Sequence, residues 1–154
     1  MAKTVRKIRK IVARFKRRCR SKGWRVNERE EMIERNGKFH NILWTREIQQ
    51  STFRSIAAKE ISTIQDGVSY RPIYVSYNAW ICATPLSDSL KQTIAKKPKL
   101  LKRNAIYDLS KIRAKGAAEK LNNTGSEVFQ EFEKFLKDEL RFELSPIQIQ
   151  IQET

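Results

Sequence analysis

The N-terminal segment Met1–Asn27, MAKTVRKIRKIVARFKRRCRSKGWRVN, decides how the rest of this chain is interpreted. Its apolar side chains recur at alternating intervals of three and four residues: Val5, Ile8, Val12, Phe15 and Cys19. This spacing places them on one face of an α-helix. Lys22 followed by Gly23 is a typical helix end, with a cation in the last turn and glycine after it. The sequence therefore predicts a basic amphipathic helix over residues 2–22.

The same segment carries most of the positive charge. It contains 12 Lys and Arg and no acid, whereas the other 127 residues carry 20 basic and 17 acidic side chains, so +12 of the net +15 lies within it. Such a concentration of cations attracts polyanions and neutralises phosphates without reading sequence. We therefore predict a nucleic-acid partner, DNA or RNA.

Two other interpretations of this helix stay open. An acid-free, Arg-rich amphipathic segment also fits a mitochondrial presequence, although it contains little Ser and much Lys. A helix lying on a membrane surface fits the pattern too, with Phe15 and Trp24 as the bulky apolar anchors. A secretory signal peptide does not fit, because the cations run through the whole segment.

Length and composition indicate a folded protein without a membrane span. A chain of 154 residues with 40% apolar content is long enough to bury a core. No run of about 18 apolar residues occurs, so we expect no membrane-spanning helix. Cys19, Cys82 and His40 are too few for a disulfide framework or a zinc site. We predict a cytoplasmic protein without a metal or other cofactor.

The first half of the chain contains a hairpin signal and two further elements. Asn36-Gly37 favours a tight turn that leads into a strand at residues 38–44. Apolar spacing then predicts a helix from about Arg46 to Ile64. Residues 73–82 are rich in β-formers and predict a strand.

The second half of the sequence is predicted to be mainly helical. Ser87 and Asp88 begin a short helix that reaches Lys96, and apolar spacing predicts a longer helix over residues 101–121. Ser126 begins an acidic helix over residues 127–143, and the alternating segment 147–152 predicts an edge strand or a frayed tail. This order predicts an α+β fold with a small antiparallel sheet, with a mainly α protein containing one hairpin as the alternative. We expect a single domain over residues 1–144 and a tail or edge strand over residues 145–154.

Catalytic motifs are scarce in this sequence. No glycine-rich phosphate loop, Gly-x-Ser-x-Gly or Glu-x-Lys pattern occurs. A small metal-independent ribonuclease is the remaining enzymatic alternative, with His40, Arg46, Tyr70 and Arg71 as the nominated set. A single histidine within a strand more often has a structural role. We therefore predict a protein that is not an enzyme.

Two basic blocks are the predicted binding residues. The first lies on the N-terminal helix and the second around Pro98: Arg6, Arg9, Lys10, Arg14, Lys16, Arg17, Arg18 and Arg20, with Lys96, Lys97, Lys99, Lys102 and Arg103. We expect both blocks to grip the phosphate backbone together. Aromatic residues near Arg71 offer stacking onto unpaired bases as an alternative, although core packing is their more usual role.

The basic helix also has an internal partner of opposite charge. Residues 127–143 carry six acids and three bases, so the two amphipathic helices can dock against each other. The net charge of −3 on residues 127–143 can neutralise only a small part of the +12 on the N-terminal segment. Most of the cationic face of the N-terminal helix should therefore stay available. The predicted function is that of a nucleic-acid-binding accessory or regulatory protein. The alternatives are the ribonuclease and a ribosomal-type or virion structural protein.

Overall fold

The computed structural model describes residues 2–29, 31–45, 61–66, 69–96, 102–121 and 125–149. The described helices are α1 (Ala2–Ser21), α2 (Asp88–Lys96), α3 (Ile112–Lys115), α4 (Glu127–Lys134) and a π-helical segment π1 (Phe135–Glu139). The described strands are β1 (Arg25–Asn27), β2 (Met32–Arg35), β3 (Lys38–Thr45), β4 (Ile61–Asp66), β5 (Ser69–Cys82), β6 (Asn104–Asp108), β7 (Ala117–Leu121) and β8 (Glu143–Pro146).

These strands form a large mixed sheet. Its order is β1-β2-β3-β5-β6-β7-β8, and β4 pairs with the first half of β5. The pairs β3–β5, β5–β6 and β7–β8 are parallel, and the other pairs are antiparallel. The predicted fold class, α+β with a small antiparallel sheet, is therefore wrong, and so is the mainly α alternative.

Helices cover both faces of this sheet. On β5, Ala79 and Ile81 pack in the cluster that contains the apolar residues of α1 and α4. The alternate residues Trp80 and Cys82 pack with the buried residues of α2. Since successive strand residues point to opposite faces, α1, α4 and π1 lie on one side of the sheet and α2 lies on the other.

Burial on both faces explains the largest error in the sequence prediction. The helix predicted over residues 101–121 is instead β6, the single turn α3 and β7. All five residues of β6 are buried, which removes the alternation by which a strand is recognised. Gly116 ends α3 in a left-handed conformation, with φ 57°, instead of lying inside a longer helix.

Two other predicted helices are wrong at their C-terminal ends. Residues 46–60 of the helix predicted to end at Ile64 lie outside the described residues, but Ile61–Asp66 form β4. The acidic helix begins at Ser126, whose Oγ accepts a hydrogen bond from Phe129 N at 3.2 Å. It passes into π1 and ends before Arg141, whose φ of 56° turns the chain into β8. β8 spans the proposed boundary between residues 144 and 145, and the division into domain and tail stays a prediction.

The N-terminal helix and the hairpin are confirmed. α1 ends at Ser21, and two capping hydrogen bonds close its last turn, from Gly23 N to Arg20 O at 2.9 Å and from Trp24 N to Cys19 O at 3.0 Å. Asn36 and Gly37 form the tight turn between β2 and β3, with φ of 52° and 76°.

A row of buried asparagines crosses the centre of the sheet. Asn41, Asn78 and Asn104 are paired in register on β3, β5 and β6. Asn41 Nδ2 donates to Asn78 Oδ1 at 3.0 Å, and Trp80 Nε1 donates to Asn104 Oδ1 at 3.3 Å. A slip of one residue would leave these buried amides without their partners, so the row favours one register of the parallel strands.

We expect Phe15→Ala to show that α1 is part of the core. Phe15 is 0% exposed, and its ring lies 5.1 Å from that of Phe132 and 5.9 Å from that of Phe135. Its removal should cost about 3–5 kcal/mol of unfolding free energy, measured by urea denaturation. The matched control, Phe39→Ala, removes a half-buried ring from a small separate cluster and should cost less. Equal stability of Phe15→Ala and the parent would mean that α1 is a detachable arm.

A candidate basic cleft on the N-terminal helix

Three cations in the second half of α1, and Lys22 just after the helix, are engaged with acids of the same chain. Arg18 Nε donates to Glu131 Oε1 at 2.9 Å, and the Arg18 guanidinium also contacts Glu139. Lys22 Nζ lies 3.3 Å from Glu131 Oε1, and Arg14 Nη2 lies 3.7 Å from Glu139 Oε2. This half of the helix is therefore held against α4 and π1 by charge as well as by its apolar face.

Glu131 is the centre of that contact. Its side chain is 13% exposed. Burial raises the pKa of the Glu131 carboxyl, but hydrogen bonds from Arg18 and Lys22 outweigh burial, so the pKa lies below its ordinary value. Glu131 consequently stays ionised and keeps both cations bound to α4.

The first half of α1 is arranged differently. Four of its cations and Arg113 line an open cleft of about 470 Å³, and all the described side chains that line it are basic: Lys3, Arg6, Lys7, Lys10 and Arg113. The residues from α1 follow the i, i+3, i+4, i+7 spacing of one helix face, which extends over about 10 Å. Lys7 Nζ lies 5.6 Å from the centre of the Phe142 ring, which holds that wall of the cleft near the start of β8.

Arg113 is brought to this cleft by the turn after β6. Asp108, the last residue of β6, accepts a hydrogen bond from Ser110 N at 2.8 Å. Ile112 is buried and anchors α3, and Gly116 ends it after one turn. Arg113 is exposed on that short helix and faces the first half of α1 across the cleft.

The predicted binding residues of the first block separate into four groups. Arg6 and Lys10 line the cleft, and Arg9 and Arg17 are exposed on α1. Three others form ion pairs: Arg14 with Glu139, Arg18 with Glu131 and Glu139, and Arg20 with Glu28. Lys16 is 7% exposed and therefore points away from solvent.

The described residues of the second block do not join the cleft. Lys96 is exposed at the end of α2, on the opposite face of the sheet from α1. Lys102 and Arg103 are exposed just before β6, and Arg113 follows the C-terminal end of this strand. The strand is about 17 Å long and therefore separates these two residues from Arg113. Lys97 and Lys99 lie outside the described residues.

Three residues of the cleft were missing from the predicted set. Lys3 and Lys7 share a helix face with Lys10, and that spacing was a usable signal. Arg113 belongs to a basic stretch of the sequence, but its position depends on the sheet. No local pattern places a residue after β6 beside the N-terminal helix.

The described members of the predicted ribonuclease set do not lie together around His40. His40 is 2% exposed, and its ring stacks on Tyr77 with 5.2 Å between ring centres. Burial lowers the pKa of His40. In the sheet His40 pairs with Tyr77, so Arg71 lies six residues along β5, at a distance of about 20 Å. Arg46 lies outside the described residues.

No known protein matches the chain, and the described residues contain neither a metal-binding cluster nor a helix that could cross a membrane. No family model, curated protein or solved structure matches the chain. Within the described ranges, His, Cys, Asp and Glu form no cluster of three or more that could hold a metal ion. Among the helices of the described segments, none is long and apolar enough to cross a membrane.

Glu131→Gln should destabilise the protein at neutral pH by about 1–3 kcal/mol, because Arg18 and Lys22 lose a partly buried carboxylate. The depressed pKa means that this stabilisation is present above the unfolded-state pKa of about 4.3 and is lost as pH falls through the lower folded-state value. Urea denaturation from pH 7 to pH 3 should therefore show a difference from the parent that shrinks in acid.

The matched control is Glu139→Gln, because Glu139 is 41% exposed. Its loss should cost less than about 1 kcal/mol. A difference between Glu131→Gln and the parent that is constant across this pH range would contradict the role assigned to the Glu131 carboxylate.

Proposed function

We propose that this protein binds nucleic acid through its phosphate backbone, in the cleft between the first half of α1 and Arg113. The observation that carries the proposal is the lining of that cleft, where five basic side chains from two separate elements converge. Converging cations repel one another, and an anion in the cleft removes that repulsion. The net charge of +15 adds long-range attraction for a polyanion.

The dimensions of the cleft suit several consecutive phosphates. The wall formed by α1 extends over about 10 Å, whereas one strand of duplex DNA carries a charge about every 3.4 Å along its axis. A rigid helix presents its cations at fixed spacing, so several phosphates are neutralised at once. Contacts of this kind position a nucleic acid without reading its sequence.

The role that fits this cleft is that of a non-enzymatic accessory or regulatory protein. Two free cysteines, Cys19 and Cys82, are buried, which suits a reducing compartment such as the cytoplasm. Burial raises the pKa of the Cys19 thiol to about 12, so this thiol stays protonated and unreactive. The cysteines therefore support the fold and take no part in the proposed binding.

Removing three charges from the cleft should weaken binding far more than removing three elsewhere on α1. We expect the variant Arg6→Gln, Lys7→Gln, Lys10→Gln to lose most of its affinity for a labelled oligonucleotide, measured by fluorescence anisotropy. With about five phosphate contacts, the parent should show a slope near −4.5 for log K against log salt, and the variant a slope shallower by about 3. Glutamine preserves helix propensity, so its urea-unfolding midpoint should stay close to that of the parent.

The control variant removes the same number of charges from the same helix outside the cleft. In Arg14→Gln, Arg17→Gln, Arg20→Gln, the three altered side chains are exposed. Its salt slope should change by less than about 1. A parent slope flatter than about −2, or equal losses in both variants, would contradict binding in the cleft.

A further inference from the structure

A second cavity lies on the same face of the sheet, beside the tight turn between β2 and β3. It has a volume of about 100 Å³, and its described lining includes seven side chains that bear polar groups: Arg35, Asn36, Lys38, His40, Tyr77, Ser126 and Glu127. The basic cleft lies toward the other end of the acidic helical segment, where Lys7 covers Phe142. α4 and π1 together span about 20 Å between the two, so the cavity is a separate site.

The floor of the cavity is aromatic. The His40 ring stacks on Tyr77 at an interplanar angle of 22°, and the edge of Phe129 packs against both rings, 5.9 Å and 6.2 Å away between ring centres. His40 Nδ1 lies 3.3 Å from the carbonyl oxygen of Ile33, which favours a proton on Nδ1. The ring is thus held in place by the backbone and forms part of the cavity floor.

The rim of the cavity carries the charges. Arg35 Nε lies 3.3 Å from Glu127 Oε2, and Asn36 Nδ2 donates to the same carboxylate at 3.3 Å. Lys38 Nζ lies 5.9 Å from the centre of the Tyr77 ring. Two cations and one carboxylate leave the rim at +1 while His40 is neutral. Arg35 pairs with Glu127, but its buried Nε has no hydrogen-bond partner among the described residues, so Arg35 Nε and the exposed ammonium of Lys38 are the groups most available to a ligand.

α4 begins at this cavity and adds to the positive potential there. Ser126 caps the helix and Glu127 is its first residue, so the positive end of the helix dipole faces the rim. A helix start, a lysine and a fixed imidazole that converge on one small volume are features of sites that hold oxyanions.

The geometry points to a site for a single phosphoryl group, either free phosphate or the phosphate monoester end of a larger molecule. A volume of about 100 Å³ holds a few water molecules or one tetrahedral oxyanion. It is well below the roughly 300–1,000 Å³ of pockets that enclose a drug-sized ligand. Lys38 supplies the charge, Tyr77 supplies a hydroxyl, and the His40 ring lies at the floor, within reach of a bound phosphoryl group.

The chain offers a direct probe of this site, because His40 is its single histidine. Its ring resonances can be followed by NMR in the full-length protein at constant pH and ionic strength. Three probes would be titrated: inorganic phosphate, a 5′-phosphorylated oligonucleotide, and the same oligonucleotide with a 5′-hydroxyl. We expect saturable shifts of the His40 resonances with at least one phosphate-bearing probe and no such response to sodium chloride.

Variants then separate this site from the basic cleft. Lys38→Gln should weaken phosphate binding by about tenfold or more, the effect of losing one charged hydrogen bond. Lys137→Gln, at an exposed lysine on π1, is the matched control and should bind phosphate like the parent. The triple cleft variant should also bind phosphate like the parent, so failure of the proposed nucleic-acid binding leaves this test intact.

The response to the two oligonucleotides identifies the source of the phosphoryl group. A shift with the 5′-phosphorylated oligonucleotide that the hydroxyl form does not produce indicates a nucleic-acid end. A shift with inorganic phosphate alone indicates a small phosphorylated molecule. The proposal is overturned if neither phosphate-bearing probe gives a saturable shift, or if Lys38→Gln binds phosphate as tightly as the parent.

Discussion

The contact between α1 and the acidic helical segment separates the cations of α1 that pair with this segment from those that face the cleft. Phe15 inserts between Phe132 and Phe135, and Arg18 and Lys22 bind Glu131 beside this aromatic contact. Apolar packing supplies most of the stabilisation, whereas the partly buried ion pairs fix the rotation of the helix about its axis. Once that rotation is fixed, the first half of α1 necessarily directs Lys3, Arg6, Lys7 and Lys10 toward α3.

This arrangement divides one basic helix into two functional parts. Ordinary ion pairs on a protein surface contribute little to stability, but Glu131 is largely buried and engages two cations. The second half of α1 therefore holds the fold together. The first half directs its positive charge into a cleft, where it is proposed to meet a polyanion. A helix that was basic throughout but had no such internal contact would present its cations in many orientations and bind less selectively.

The sequence predicted the elements that local rules control. Apolar spacing and the Lys22-Gly23 stop gave α1, and Asn36-Gly37 gave the hairpin turn. The possibility that α1 docks on the acidic helix was also visible from charge, although the cations involved were not. The parallel strands were missed, because β6 is buried on both faces and lacks alternation. A parallel pair also joins residues far apart in sequence, as when Asn41 meets Asn78 and Asn78 meets Asn104.

The candidate site, too, was predictable only where a local feature of the sequence identifies its residues. Charge density identified α1, and Arg6 and Lys10 lie in the cleft. Charge density also suggested Lys16, which is buried, and Arg18, which is bound to acids, because counting cations says nothing about their partners. Arg113 required knowledge of the sheet, since it approaches α1 through the turn that follows β6.

The proposal that the first half of α1 binds nucleic acid is tested most directly by lysine labelling. Each lysine's reactivity toward an amine-labelling reagent would be measured by mass spectrometry, with and without bound nucleic acid. The proposal predicts strong protection of Lys3, Lys7 and Lys10. Lys22 and Lys137, which lie outside the cleft, should react equally in both states. Protection of Lys96 and Lys102 with unchanged labelling of the three cleft lysines would contradict it and would place binding on the second basic block.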